Sequence, residues 1–272
     1  MAVITTVFNR KEKTKNAIES IVTALDSVEL EYRFYICDDG SSDGTTDYLR
    51  ELGEMVCVIP GNGDLFWSKG MHKAMSAAVA DKADLYLMIN DDVEFSFTVM
   101  QVMLDSYNQA GKKCGIVGST CGIDSNIITY GGRKLKGQAL ICPNGSLQEC
   151  DLTNWNCFLI DDYVVRKVGL IDNYYEHGLG DFDYSLRMKK QNIPVYVAKD
   201  YVGRCDVNSK KGTYHDKNMT RKKRFVSMFS RRNMPIRSRW HYYLKNFGVM
   251  GIKDFIWPYI KCSICIISKR DY

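Results

Sequence analysis

Hydrophobic positions in the first hundred residues fall in short continuous runs, separated by polar turns and amphipathic stretches. Val3 to Phe8 is an apolar run cut off by Asn9-Arg10. Residues 11–26 then carry Ala17, Ile18, Ile21, Val22 and Leu25 at helical spacing. Tyr32 to Cys37 and Met55 to Ile59 are two more runs, with a polar loop and a helix near 45–52 between them. A helix from about Lys69 to Ala80 leads to a fourth run, Leu85 to Ile89. Runs without polar alternation suit strands buried on both faces, as in a parallel sheet. Their regular alternation with helices predicts a doubly wound, mostly parallel α/β sheet with right-handed crossovers. Beyond it the pattern predicts a helix near 96–110, a strand at Gly115–Gly118, and loops with short strands over 129–151. A strand at Asn154–Ile160, a loop over 172–180, a helix from Asp181 and a strand at Pro194–Ala198 follow.

The polar residues at the strand ends carry the first candidate chemistry. Leu85 to Ile89 runs straight into Asn90-Asp91-Asp92, and ligands of open α/β sheets bind at the carboxyl ends of strands. Two adjacent acids repel each other unless a positive charge sits between them. Mg²⁺ or Mn²⁺ prefers such oxygen ligands, completed by substrate phosphates. The triplet therefore reads either as a metal–diphosphate clamp or as an Asn-Asp turn capping the next helix. Asp38-Asp39-Gly40-Ser41-Ser42-Asp43-Gly44 is a second acidic strand-end loop. Parallel strands would place both acidic loops and Thr5–Arg10 along one sheet edge. No GxGxxG fingerprint or Walker lysine loop follows the first strand, which argues against NAD-type and P-loop sites.

A second centre lies at Asp181-Phe-Asp183-Tyr-Ser-Leu-Arg187. Acids in a first helical turn cap free amides and favour the helix dipole. One of them could instead be a general base taking a proton from an attacking hydroxyl. His177 in the preceding loop is a candidate acceptor-side donor. Trp155 and Asn156 could line a sugar pocket, although core packing accounts for Trp155 equally well.

Four segments now stand in a recognisable order: Val3 to Arg10, Cys37 to Gly44, Asn90 to Asp92, and Gly180 to Arg187. Together they resemble the family 2 glycosyltransferases of the GT-A fold, over roughly residues 1–235. Gly63-Asp-Leu-Phe-Trp67-Ser-Lys69-Gly70-Met resembles a bacterial polysaccharide-synthesis subgroup that includes rhamnosyltransferase-like enzymes. The resemblance implies inverting sugar transfer from a nucleotide-diphosphate sugar, assisted by Mg²⁺ or Mn²⁺. It implies nucleotide contacts at Thr5, Asn9, Arg10, Asp38, Asp39, Lys69 and Asp91, with Asp39 near base and ribose. Asn90-Asp91-Asp92 falls on the family's Asp-x-Asp signature but begins with Asn, which leaves Asp92 as the leading metal ligand. His215, in the loop over 204–220, is a further metal candidate. Asp181 aligns with the catalytic base and Asp183 with a more structural acid, while Gly180 stands where relatives have Glu. Trp67, Trp155, Asn156, His177 and Asp183 fall on the acceptor or sugar side.

Charge adds a division along the chain. Lys and Arg exceed Asp and Glu by 37 to 32, and the excess is concentrated at the end: the only acids after residue 209 are Asp216, Asp254 and Asp271. Aromatics and isoleucines are interleaved there with Lys and Arg. The pattern favours an anionic membrane surface over nucleic acid, with an ordinary packed helix pair as the alternative. The expected division is thus a GT-A domain over 1–235, with a nucleotide-binding half at 1–95 and an acceptor-side half at 96–235, followed by a basic helical segment over 236–272. The ten scattered cysteines, without a basic n-region ahead of Val3, are expected as free thiols in a reducing cytoplasm. Cys262-Ser-Ile-Cys265 lacks a second pair, so zinc is not expected. The expected partners are a nucleotide-diphosphate sugar, a glycan or lipid-linked glycan, and the inner face of the cell membrane. Two rivals are a sugar-nucleotidyltransferase and a non-catalytic glycan- or membrane-binding protein on a transferase scaffold.

Overall fold

The computed structural model describes residues 1–268. In chain order the first elements are β1 (Ala2–Val7), α1 (Lys11–Asp26), β2 (Arg33–Asp38), α2 (Thr45–Glu51), β3 (Val56–Pro60), α3 (Phe66–Ala80) and β4 (Leu85–Ile89). Next come β5 (Glu94–Phe95), α4 (Val99–Gln109), β6 (Gly115–Cys121), β7 (Ile128–Tyr130), β8 (Gly132–Arg133), β9 (Gln148–Glu149) and β10 (Leu152–Thr153). The chain continues through β11 (Cys157–Asp161), α5 (Asp162–Val168), α6 (Gly180–Lys190), β12 (Val195–Arg204), α7 (Arg221–Met228), α8 (Ile236–Phe247) and α9 (Gly251–Ser268).

The main sheet runs in the order β3-β2-β1-β4-β11-β6-β12-β5, with β7 on β6 and β9 on β12. Its first four strands are parallel. The continuous apolar runs are explained by two cores, one on each face. Val3 and Val7 of β1 pack with Ile18, Ile21 and Leu25 of α1 and Met103 of α4. Ala2 and Ile4 point the other way, to Met71, Ala74, Met75 and Ala78 of α3. Alternate residues of one strand thus serve opposite cores, which leaves no exposed face to carry a regular polar alternation; the buried Thr5 and Thr6 are the polar residues of β1.

Two strands depart from the parallel scheme in ways that shape the site. β11 runs antiparallel to β4 and β6, with Cys157 opposite Ile89. It therefore begins at the edge where β4 ends, and brings Asn156 there. β12 extends to Arg204, beyond the expected end at Ala198. Its register against β6 shifts between Val197 and Tyr201, where the polar pair Lys199-Asp200 interrupts the hydrophobic pattern.

The chain packs as two compact units. One comprises Met1–Asn173 and Gly180–Val207, and the other Tyr174–Leu179 with the chain from Asn208 on. The second unit thus gathers α7 together with α8 and α9. Its core is small: Met228, Met234 and Cys262, flanked by Tyr214 and Tyr259. All ten cysteines are free thiols. Among the described residues, no helix is long and apolar enough to cross a membrane.

Candidate active site

The parallel register sets Val7 against Asp38 and Ile4 against Met88, so β1, β2 and β4 end along one edge. Arg10 Nη1 lies 3.3 Å from Asp91 Oδ1 and 3.0 Å from Asp92 Oδ2. The guanidinium is the positive charge that the adjacent acids require. Thr14 Oγ1 donates to Asp91 Oδ2 at 3.5 Å. Burial pushes the Asp91 carboxyl up to about 6, Arg10 opposing the shift and Asp92 adding to it. Cys205, just past β12, donates from Sγ to Asp92 Oδ1 at 3.8 Å. Burial pushes that thiol up to about 12, so at neutral pH it keeps its proton and orients Asp92. Asn156 Nδ2 in turn donates to Cys205 Sγ at 3.8 Å.

The carboxylates of Asp91 and Asp92 suit a hard cation. No group of three or more His, Cys, Asp or Glu gathers as a metal site among the described residues. The acid pair is therefore a half-site. It fits an ion such as Mg²⁺, which is held by one or two carboxylates and completed by substrate phosphates. Asn90 Oδ1 accepts the indole N–H of Trp67 at 2.8 Å.

The acids at the end of β2 serve another purpose than expected. Asp38 accepts from the Ser41 amide at 3.0 Å and from the Thr46 hydroxyl. Asp39 Oδ1 accepts the amides of Asn62 and Gly63, at 3.2 and 2.9 Å. Its Oδ2 accepts those of Leu65 and Phe66, at 2.9 and 3.1 Å. A carboxylate offers about four lone-pair sites, and all of Asp39's are taken. Both acids thus build the loops at this edge, and Asp39 holds the amides at the start of α3 from outside the helix. Gly61 makes this closure feasible, since a Cβ there would meet Asp39 Oδ1 at 2.5 Å. Asp39→Asn puts an NH₂ against two amides and leaves them unpaired. The expected cost is about 3 kcal/mol, a fall in Tm of roughly 5–10 °C by thermal melting.

Other residues along this edge are placed as follows. Asn9 Oδ1 accepts the Ser42 amide at 2.7 Å and its own amide donates to Ser41 Oγ, tying the first two strand-end loops together. Thr5 is buried in β1, and its Oγ1 lacks a hydrogen-bond partner. Lys69 is half-buried on α3. Its neighbour Gly70 lets α3 approach β1, because a Cβ there would lie 2.1 Å from Thr6 Oγ1.

The second centre forms at the start of α6. Asp181 is half-buried, and its Oδ1 accepts the Phe182 amide at 2.9 Å. Burial pushes its carboxyl up to about 6, against a hydrogen bond from Asn154 and the charge of Arg133. Arg133 Nε donates to Asn154 Oδ1 at 2.9 Å, so a guanidinium and an amide together hold the acid. Gly180 is explained by packing: a Cβ there would lie 2.9 Å from both Ser68 Oγ and Ile171 Cδ1. A side chain there would require Ser68 and Ile171 to shift.

Asp183 lies in the interior. Its side chain is 0% exposed and accepts from Arg187 Nε at 2.9 Å, while Arg187 also donates to the carbonyls of Val168 and Leu170. Trp155 is likewise a core residue, 1% exposed, stacked on Phe158 at 5.4 Å and edge-on to Tyr184 at 5.1 Å. Trp67, half-buried and 6.0 Å from Trp155, is the indole closer to the acid pair, through Asn90. The segment Asn154–Asn156 connects the two centres: Asn154 holds Asp181, and the Asn156 carbonyl accepts the Asn90 amide at 3.4 Å.

Arg133 and Asn154, which hold Asp181, are the site neighbours that the sequence pattern did not single out. Arg133 stands in a polar stretch whose two-residue strand, β8, pairs with β10 next to Asn154. Such short pairing leaves no periodicity to detect. His177 and His215 belong to the second unit. His215 stacks on Tyr214 at 4.1 Å, and burial, Lys210 and Arg224 hold its pKa down.

Residues 2–136 match the family described as Glycosyl transferase family 2. The match runs from β1 to just past β8, covering the acid pair and ending before α6. No curated protein matches the chain. Among solved structures it is similar to the mannosyltransferase PcManGT from Pyrobaculum calidifontis, in complex with GDP-Man and Mn²⁺. The TM-score is 0.58 at 12% identity, over 97% of this chain and 69% of that one. At that identity the likeness is one of fold.

Proposed function

From a chain whose residues 2–136 match the Glycosyl transferase family 2 model, we propose an enzyme that moves a sugar from a nucleotide-diphosphate sugar to a hydroxyl of a glycan or lipid-linked glycan. Transfer proceeds with inversion at the anomeric carbon. The observation that carries this reading is the pairing of two centres through Asn154–Asn156: an acid pair at a strand-end edge, and Asp181 with its carboxyl pushed up to about 6. Asp181 takes the proton of the acceptor hydroxyl as its oxygen attacks. A Mg²⁺ or Mn²⁺ ion on Asp92, with Asp91, supplies charge neutralisation for the departing diphosphate. Arg10, already at the acid pair, is placed to donate to phosphate oxygens. Asn9 and Lys69 border the nucleotide and Trp67 the sugar, with the buried Thr5 and Asn156 behind them.

The segment Gly63–Met71 supports a setting among rhamnosyltransferase-like polysaccharide-synthesis enzymes, acting in the cytoplasm at the inner face of the membrane. A sugar-nucleotidyltransferase would need a glycine-rich basic loop after β1, and residues 5–16 contain no glycine. A decayed, binding-only scaffold is the rival that absence of transfer from any donor would favour. Incubation with a panel of nucleotide sugars and acceptors, with NMR of the product's anomeric configuration, tests the proposal. Retained configuration, or no transfer from any donor, contradicts it.

The raised pKa gives a pH prediction. The base must be deprotonated, so kcat rises with pH and levels off above an apparent pKa of about 6. A pH–rate profile under saturating donor measures this. A flat profile from pH about 5 to 8 would remove Asp181 from the proton transfer.

A further inference from the structure

We infer that the second unit is a docking surface for an anionic lipid bilayer, with α9 lying in the plane of the interface. The inference deepens the inner-membrane part of the reading above, yet it stands on the second unit's own surface.

One stripe of α9 is satisfied within the unit. Phe255 packs on Trp240 at 5.2 Å, Tyr259 stacks on Phe229 at 5.7 Å, and Cys262 and Ile266 are buried. The spacing from 255 through 259 and 262 to 266 is that of a single helix face. A helix covering only one face should be polar on the other. Here Ile252, Ile256, Ile260, Ile264 and Ile267 form a second apolar stripe, all exposed, with Trp257 beside it at 58% exposure. Val249 and Met250, on the turn leading into α9, are 78% and 82% exposed.

Charge selects the occupant. Between residues 208 and 268 there are fourteen Lys and Arg against two acids, Asp216 and Asp254. A second copy of the chain would bring two such surfaces together, and their net charge opposes that. Protein–nucleic acid interfaces are polar, and a stripe of isoleucines has no role in one. An anionic bilayer accepts both features. Its headgroups attract Lys and Arg, its acyl boundary takes the apolar stripe, and tryptophan favours the level between them.

The test uses the full chain with vesicles of phosphatidylcholine alone, or with about one third phosphatidylglycerol. Sedimentation with the anionic vesicles is expected. Affinity should fall at least about tenfold between about 0.1 M and about 1 M salt, as the Debye length shortens from about 10 Å to about 3 Å. Acyl-brominated lipid should quench tryptophan fluorescence in wild type and much less in Trp257→Phe. The double variant Ile256→Glu/Ile260→Glu should keep its melting temperature and lose binding about tenfold or more. Equal binding to neutral vesicles, binding untouched by the double variant, or no binding at all overturns the inference. A dimer that the double variant dissociates, without vesicle binding, gives the stripe to a second copy instead. Transfer to a soluble acceptor is scored separately: if it is absent while vesicle binding holds, the catalytic reading fails and this one stands.

Discussion

Asp181→Asn is expected to fold, bind the nucleotide sugar with near-normal affinity, and lose about 10²–10⁴ in kcat. The substitution keeps the side chain's shape and leaves an oxygen able to accept the Phe182 amide, so helix capping survives. What it removes is proton acceptance. Asp183→Asn is the control, because the two acids stand two residues apart on α6. Asp183 is fully buried against Arg187, and neutralising it leaves a guanidinium unpaired in the interior. That should cost about 3 kcal/mol of stability, with a smaller loss of turnover in the folded fraction. Transfer rates, donor affinities and melting temperatures of both variants separate a base from a structural acid. A dead Asp183→Asn beside an active Asp181→Asn would reverse the assignment.

Asp92→Asn should lower transfer by roughly two orders of magnitude, or about 3 kcal/mol of leaving-group stabilisation. Excess chelator should do the same to wild type. Arg10 is expected to keep its contact with Asp91, so the fold is preserved. Because the acid pair is a half-site, Mn²⁺ alone should bind weakly, and tightly only with a nucleoside diphosphate present. Electron paramagnetic resonance of free Mn²⁺ reads this without turnover. Full activity of the variant, or of wild type in chelator, rules out the metal's role.

The parallel half of the fold was legible because each apolar run serves two cores, a requirement that suppresses polar alternation. The gathering of Arg10 and Asp91-Asp92 followed from parallel register alone. The direction of β11 was not legible: Asn154 to Ile160 reads as a strand either way, and only pairing with Ile89 sets its start at the site edge. The loop-closing part of Asp39 was not legible, because sequence shows an acid in a loop, not the four amides of a distant segment that close on it. For Trp155, an indole beside polar residues suits a pocket wall and a core equally, and only its neighbours Phe158 and Tyr184 decide for the core. Arg133 escaped notice because its partner Asn154 lies twenty-one residues on, across a two-residue strand pair.

The central claim is that a nucleoside diphosphate and a divalent ion meet at the strand-end edge around Arg10, Asp91 and Asp92. Melting temperature in the presence of each nucleoside diphosphate, with and without Mn²⁺, tests it most directly. A ligand at about a hundred times its Kd stabilises by about 2.7 kcal/mol, a rise of roughly 5–10 °C for a chain of this size. At least one nucleoside diphosphate should produce that rise with Mn²⁺ and a smaller one without it, and Asp92→Asn should erase the difference. If no nucleoside diphosphate moves the melting temperature in the presence of Mn²⁺, the account is contradicted.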